Sequence, residues 1–190
     1  MNFAELYKAD CLRAIDSIDL QKVQQAIGLF HEARTHNRHI FVFGNGGSAS
    51  TASHFVCDMV KGASFNRETR FRIMALTDSL PTLTAYSNDV SYDAVFLEQL
   101  KNFANPGDLV MGISGSGNSP NVLRAFEYAN SIGCKTVALT GRDGGKLGPL
   151  AQLNILVANP HMGRIEDAHV IVCHMICYYF MDTEKDLARN

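Results

Sequence analysis

The sequence predicts an α/β protein: a doubly wound parallel sheet of five strands with helices on both faces, preceded by a pair of helices. Apolar, β-branched runs alternate with helical patterns at a spacing that requires crossover connections, and hence parallel strands. The runs are near-continuous rather than alternating, as in strands covered on both faces. Two glycine/serine loops each follow such a run and precede a helical pattern, at the carboxyl ends of strands, where open parallel sheets bind ligands.

Residues 3–16 place Phe3, Leu6 and Tyr7 at helical spacing, and residues 20–36 do the same with Val23, Ala26, Ile27 and Phe30, with Asp19 as an N-cap. The chain therefore opens on two helices. The pattern then reads strand 39–43, helix 48–61, strand 71–77, helix 79–86, helix 92–104, strand 108–113, helix 119–131, strand 135–140, a short helix near 145–151, strand 153–158 and helix 165–185. No internal repeat or low-complexity segment interrupts it, and residues 62–70 are expected to be flexible. With 190 residues, 46% of them hydrophobic, the chain is expected to be a single domain, 1–190.

The formal charge of −2, from 17 basic and 19 acidic residues without a long like-charge run, gives no electrostatic case for nucleic acid. Five scattered cysteines (Cys11, Cys57, Cys134, Cys173, Cys177) read as reduced thiols of a cytoplasmic protein. The charged first residues, Met1 to Arg13, lack the apolar core of a signal peptide. Val170 to Phe180 is too short to span a bilayer and is broken by His174, so no membrane partner is expected.

The first loop, Gly44-Asn45-Gly46-Gly47-Ser48, follows His39 to Phe43. The second, Ser114-Gly115-Ser116-Gly117-Asn118-Ser119, follows Leu109 to Ile113. Glycines let backbone approach an anion, free N–H groups at a helix start supply positive potential, and serine hydroxyls add neutral donors. Two such loops in one small domain point to a phosphorylated small molecule. Tight βα turns alone require fewer of these residues. The first loop fits a dinucleotide fingerprint poorly, because Asp78 lies well beyond the position where an acidic ribose contact belongs. Gly141 to Lys146 has the wrong glycine spacing for a nucleotide phosphate loop and is followed by Leu147, so it reads as a turn.

His54 and Asp58 share one face of the helix that leaves the first loop, a spacing suited to metal chelation or acid–base work but also common in plain surface pairs. Glu166, Asp167, His169 and His174 form a second cluster on the last helix. His174 lies inside an apolar run, where a core histidine needs a hydrogen-bond partner. Cys173 and Cys177 read as core filling before they read as ligands.

Taken together, the two loops, His54, Ser87-Asn88-Asp89, Leu139 to Lys146, and Arg164-Ile165-Glu166-Asp167-Ala168-His169 with His174 resemble the sugar isomerase (SIS) domain family, and within it the bacterial phosphoheptose isomerases. These motifs keep their order and similar spacing over nearly the whole chain. The resemblance implies a flavodoxin-like SIS sheet and interconversion of sedoheptulose 7-phosphate with D-glycero-D-manno-heptose 7-phosphate. It places phosphosugar contacts on Asn45, Gly46, Gly47, Ser48, Ser114, Gly115, Ser116, Ser119, Asn88, Asp89 and Glu166. A family zinc ion falls on His54, Asp58, Glu166 and His174, with Asp58 as base and His174 as acid in an enediol mechanism. A homotetramer with sites at subunit interfaces is also implied, residues 1–37 serving in its packing.

Two positions depart from the family pattern. Asp58 replaces a glutamate and Glu166 replaces a glutamine, which moves carboxylate reach from one wall of the site to the other. Either Glu166 shares or takes over the base role, or two carboxylates and two histidines form a tighter zinc site. Glu166 and His174 stand eight residues apart, about 12 Å along a helix, so a site completed across a subunit interface is expected. Two further readings stay open: a non-catalytic SIS module that senses a phosphosugar or binds a protein partner, and an isomerase for another phosphosugar. The presence of both Asp58 and His174 favours catalysis.

Overall fold

A computed structural model describes residues 2–183 of the chain. Five parallel strands, β1 (His39–Gly44), β2 (Arg72–Ala75), β3 (Leu109–Ser114), β4 (Lys135–Gly141) and β5 (Leu153–Val157), lie in the order β2-β1-β3-β4-β5. Strand order reverses between β1 and β3, and a doubly wound sheet opens its ligand crevice at such a point. The register pairs Gly44 with Ile113, so the two glycine/serine loops leave the sheet side by side.

Eight helices, α1 (Phe3–Asp16), α2 (Leu20–Thr35), α3 (Gly47–Cys57), α4 (Leu80–Asp89), α5 (Val95–Phe103), α6 (Pro120–Ser131), α7 (Leu147–Leu150) and α8 (Met162–Thr183), flank the sheet among the described residues. Alternation along β1 divides the core. Ile40 and Val42 pack with residues of α2, α3 and α8, whereas Phe41 and Phe43 pack with residues of α5 and α6. All four side chains are fully buried, so a polar substitution at any of them loses its hydration without gaining a partner.

The first two helices start where their caps dictate. Asn2 and Glu5 form a reciprocal capping box on α1, and the Asp19 carboxylate accepts from the Gln21 and Lys22 amides at the start of α2. α1 then docks on the first turns of α8. The Tyr7 hydroxyl donates to Asp167 at 2.8 Å, Arg164 pairs with Asp10 at 2.7 Å, and the Arg164 guanidinium lies 4.4 Å from the Tyr7 ring centre. These contacts fix the end of α8 that carries Glu166.

Three segments differ from the sequence expectation. The helix predicted over 48–61 is α-helical only to Cys57 and continues as a π-helical turn, Asp58–Gly62, closed by the Ala63 amide donating to the Asp58 carbonyl at 3.0 Å. The wider turn buries Met59 and lets the Ser64 hydroxyl donate back to the Met59 carbonyl at 2.8 Å. Ser64 also accepts from the Phe71 amide at 3.1 Å, so the segment expected to be flexible is tied down at its start. The helix expected from residue 92 begins as a 3₁₀ turn, Tyr92–Ala94, ahead of α5. Positions 184 and 185 of the last predicted helix lie outside the described residues.

Candidate active site

The two loops form the walls of one cavity of about 280 Å³. Asn45, Gly46, Gly47 and Ser48 line it from the start of α3, and Ser114, Gly115, Ser116 and Ser119 from the β3–α6 turn. Glu166 and Met162 close it from α8. The Ser48 and Ala49 amides donate to the Asn45 and Gly46 carbonyls, both at 3.0 Å, and the positive end of the α3 dipole with the serine hydroxyls gives the cavity its fit to an anion.

The serine loop is held from behind. The Gly117 amide donates to the Ser114 carbonyl at 3.0 Å and to its hydroxyl at 3.1 Å. Gly117 has φ +64°, and a Cβ there would stand 2.1 Å from the Gly144 carbonyl oxygen. The Leu147 amide donates to the Gly117 carbonyl at 2.9 Å and the Lys146 amide to the Asn118 side chain at 3.2 Å. The turn over 141–146, which the sequence offers only as a turn, is therefore the backing of the anion loop. A wider opening of about 690 Å³, lined by Arg142, Asp143 and Asn159, shares only Ser116 with the anion cavity.

α3 and α8 run side by side in the same direction, with Glu166 beside Gly47 at one end and His174 beside His54 and Asp58 further along. The Asp58 carboxylate lies 3.3 Å from His54 Nε2 and 3.7 Å from His174 Nε2, and the two imidazole centres are 5.3 Å apart. One ligand atom from each of His54, Asp58 and His174 falls within 4.8 Å of the others. Two imidazoles and one carboxylate suit zinc, and three protein ligands leave a position open for substrate. From Gly47 to His54 is seven residues, about 10 Å along the helix, the scale of an extended phosphosugar.

Glu166, placed with this trio by the family resemblance, stands apart from it. Its carboxylate lies over Gly47, where a Cβ would meet it at 2.7 Å, because eight helical residues separate it from His174. Asn88 and Asp89 also fall outside the anion cavity. They end α4, exposed to solvent, with the Asn88 amide donating to the Asp89 carboxylate at 2.8 Å. Asp167 is engaged by Tyr7 and Cys11 on α1.

The buried histidine of α8 is His169 rather than His174, whose side chain is 41% exposed on the groove. His169 Nε2 bonds the Thr140 carbonyl at 3.1 Å, and burial pulls its pKa down to about 4. Cys173 and Cys177 are core residues, and burial pushes the Cys177 thiol up to about 12.

His169 gives a pH prediction whose sign is fixed by the depressed value. The unfolded chain takes up a proton near the ordinary pKa of about 6.5 and the native state only near 4, so stability is full above pH 6.5 and falls as pH drops between them. Urea unfolding is expected to show a loss of about 3 kcal/mol from pH 7 to pH 4 that His169→Gln flattens. An identical slope in the variant removes His169 as the cause.

Two side chains that reach the cavity only through Asn45 escape a motif-based reading. Asn121, buried at the start of α6, exchanges two amide hydrogen bonds with Asn45 at 2.9 and 3.0 Å, and the Tyr92 hydroxyl donates to Asn45 Oδ1 at 2.8 Å. An asparagine directly after the Ser119-Pro120 helix start was the available signal for the first. Nothing in the sequence pattern marks Tyr92.

Residues 6–141 match the family model described as the SIS domain. The chain is 43% identical over 167 residues to a probable phosphoheptose isomerase of Thermoplasma volcanium, covering 87% of this chain and 82% of that one. It is 36% identical to a phosphoheptose isomerase of Helicobacter pylori, over 90% and 88% of the two chains. The structure of phosphoheptose isomerase GmhA from Neisseria gonorrhoeae superposes with a TM-score of 0.85 at 33% identity, covering 93% of this chain and 96% of that one. A phosphoheptose isomerase structure from Francisella tularensis, at 24% identity and a TM-score of 0.86, shares the fold.

Proposed function

The chain belongs to the SIS-domain family and, within it, to the phosphoheptose isomerases, and from that premise we propose that it interconverts sedoheptulose 7-phosphate and D-glycero-D-manno-heptose 7-phosphate. The observation that carries this reading is the pairing of an anion cavity at the start of α3 with an acid–base trio about 10 Å further along the same helix. A phosphate held by the two loops puts the other end of an extended seven-carbon chain beside His54, Asp58 and His174.

Aldose–ketose isomerisation removes a proton from the carbon beside the carbonyl, passes through an enediol, and returns the proton to the neighbouring carbon. Asp58 is the base that takes and returns the carbon-bound proton. His174, within reach of the same carboxylate, moves the proton between the two substrate oxygens. The loop serines and the positive end of the α3 dipole hold the phosphate and fix the register of the sugar, which keeps the reacting carbons at Asp58.

His54, Asp58 and His174 suit a zinc ion, which when bound supplies Lewis-acid polarisation of the substrate carbonyl. The fourth family position, Glu166, lies too far along α8 to join the trio of its own chain, which supports a site completed by Glu166 of a neighbouring copy in a homotetramer. Exposed Phe3 and Leu6, neighbours at i, i+3 on α1, supply apolar surface for such packing. Asn88 and Asp89, exposed at the end of α4, contact the sugar in the same assembly. No helix among the described residues is long and apolar enough to cross a membrane, and five free cysteines accord with a reducing, cytoplasmic location.

Purified protein given sedoheptulose 7-phosphate is expected to form the aldose isomer, and prior treatment with a strong chelator to abolish this until zinc is restored. Product formed at full rate after chelation removes the zinc role. No product from this or shorter phosphosugars, with phosphate still bound, replaces catalysis by sensing.

A further inference from the structure

The amide of Asn45 is held more tightly than a turn requires. The Val122 amide donates to Asn121 Oδ1 at 2.9 Å, which identifies that atom as the oxygen. Asn45 must then turn its own Nδ2 toward Asn121 Oδ1 and its Oδ1 toward Asn121 Nδ2, at 2.9 and 3.0 Å. With Asn45 Oδ1 so placed, the Tyr92 hydroxyl at 2.8 Å can only donate to it. Both lone pairs of Oδ1 are thereby used. One Asn45 N–H remains uncommitted, and Asn45 lines the anion cavity. A free amide rotor offers an anion its oxygen as readily as its nitrogen, and the oxygen repels it.

The geometry points to Tyr92 as a positioning residue for the phosphate monoester: its hydroxyl, working with the buried Asn121, locks Asn45 so that the amide presents only a donor to the ligand. This rests on the phosphosugar reading of the cavity. Tyr92 touches Asn45 and not the cavity itself, so its effect runs through Asn45 alone. Tyr92 is 54% exposed, and removal of the hydroxyl leaves the core untouched.

The test is Tyr92→Phe in the wild-type and in an Asn45→Ala background, with inorganic phosphate affinity measured by calorimetry and KM and kcat measured on sedoheptulose 7-phosphate. Loss of one neutral hydrogen bond on the holding group is expected to raise both the phosphate Kd and KM about three- to tenfold. kcat is expected to stay within about twofold, because the interaction acts on phosphate already bound in the ground state. In the Asn45→Ala background the same change is expected to add nothing. An unchanged phosphate Kd in Tyr92→Phe, or an equal loss without Asn45, overturns the inference, as does a wild-type chain that binds no phosphate. A Tyr92-dependent phosphate Kd in a protein that isomerises no heptose keeps the inference and removes the isomerase reading.

Discussion

Replacing Asp58 with Asn is expected to lower kcat about 10²- to 10⁴-fold while leaving inorganic phosphate binding near its wild-type level. The two side chains have nearly the same shape, but the amide cannot take a proton from carbon. Asp58 sits between His54 and His174, and no other described carboxylate joins those two imidazoles. Its side chain is 27% exposed, so the substitution leaves no buried group without a partner. The Asp58 backbone lies ten residues beyond Ser48 of the anion cavity, about 15 Å along the helix, far enough for the two sites to respond independently. The measurement is aldose formation together with phosphate calorimetry on the same preparation. A kcat within tenfold of wild type removes Asp58 from the base role. A parallel collapse of phosphate binding shows that the substitution disturbed α3 instead.

Asp58 is one methylene shorter than the glutamate the family resemblance implies there, and the backbone changes at that residue. The α-helix gives way to a π-helical turn there, a geometry that recurs at functional sites because it re-aims one side chain. Periodicity over 48–61 cannot show this, since the apolar spacing of one π turn hides within a longer α pattern. The turn is set by contacts distant in sequence, including the approach of Met181 on α8 to Gly62, where a Cβ would stand 2.7 Å from the sulfur.

The same division runs through the rest of the molecule. Strands β1 and β3 are legible because their apolar runs are long and end in glycine/serine loops. The shared cavity follows once the Gly44–Ile113 register brings those ends together. Local spacing also pairs His54 with Asp58. It fails for the α8 histidines, because which face of an apolar helix meets the sheet depends on packing: His169 takes the buried position and His174 the groove. Tyr92 reaches Asn45 across 47 residues, and the turn after β4 backs the serine loop across some 28, separations at which a local pattern carries no signal.

Glu166→Gln is expected to move binding and turnover in opposite directions. The Glu166 carboxylate closes the anion cavity against Gly47, so a phosphate dianion held there faces a like charge. At the effective dielectric of a partly buried site, each unit of that repulsion at a separation of several ångströms is worth about 1–3 kcal/mol. Removing it is expected to lower the inorganic phosphate Kd at least about tenfold. Two roles for this charge elsewhere in the cycle are under test, as a second base on the sugar carbons or as a zinc ligand to a neighbouring copy. On either account kcat falls, by about 10²-fold for a displaced proton-transfer group. Zinc content separates the accounts: it drops with the ligand role and holds with the base role. A variant that binds phosphate more tightly and also turns over faster, at unchanged zinc content, excludes both and leaves Glu166 as a gate on substrate affinity alone.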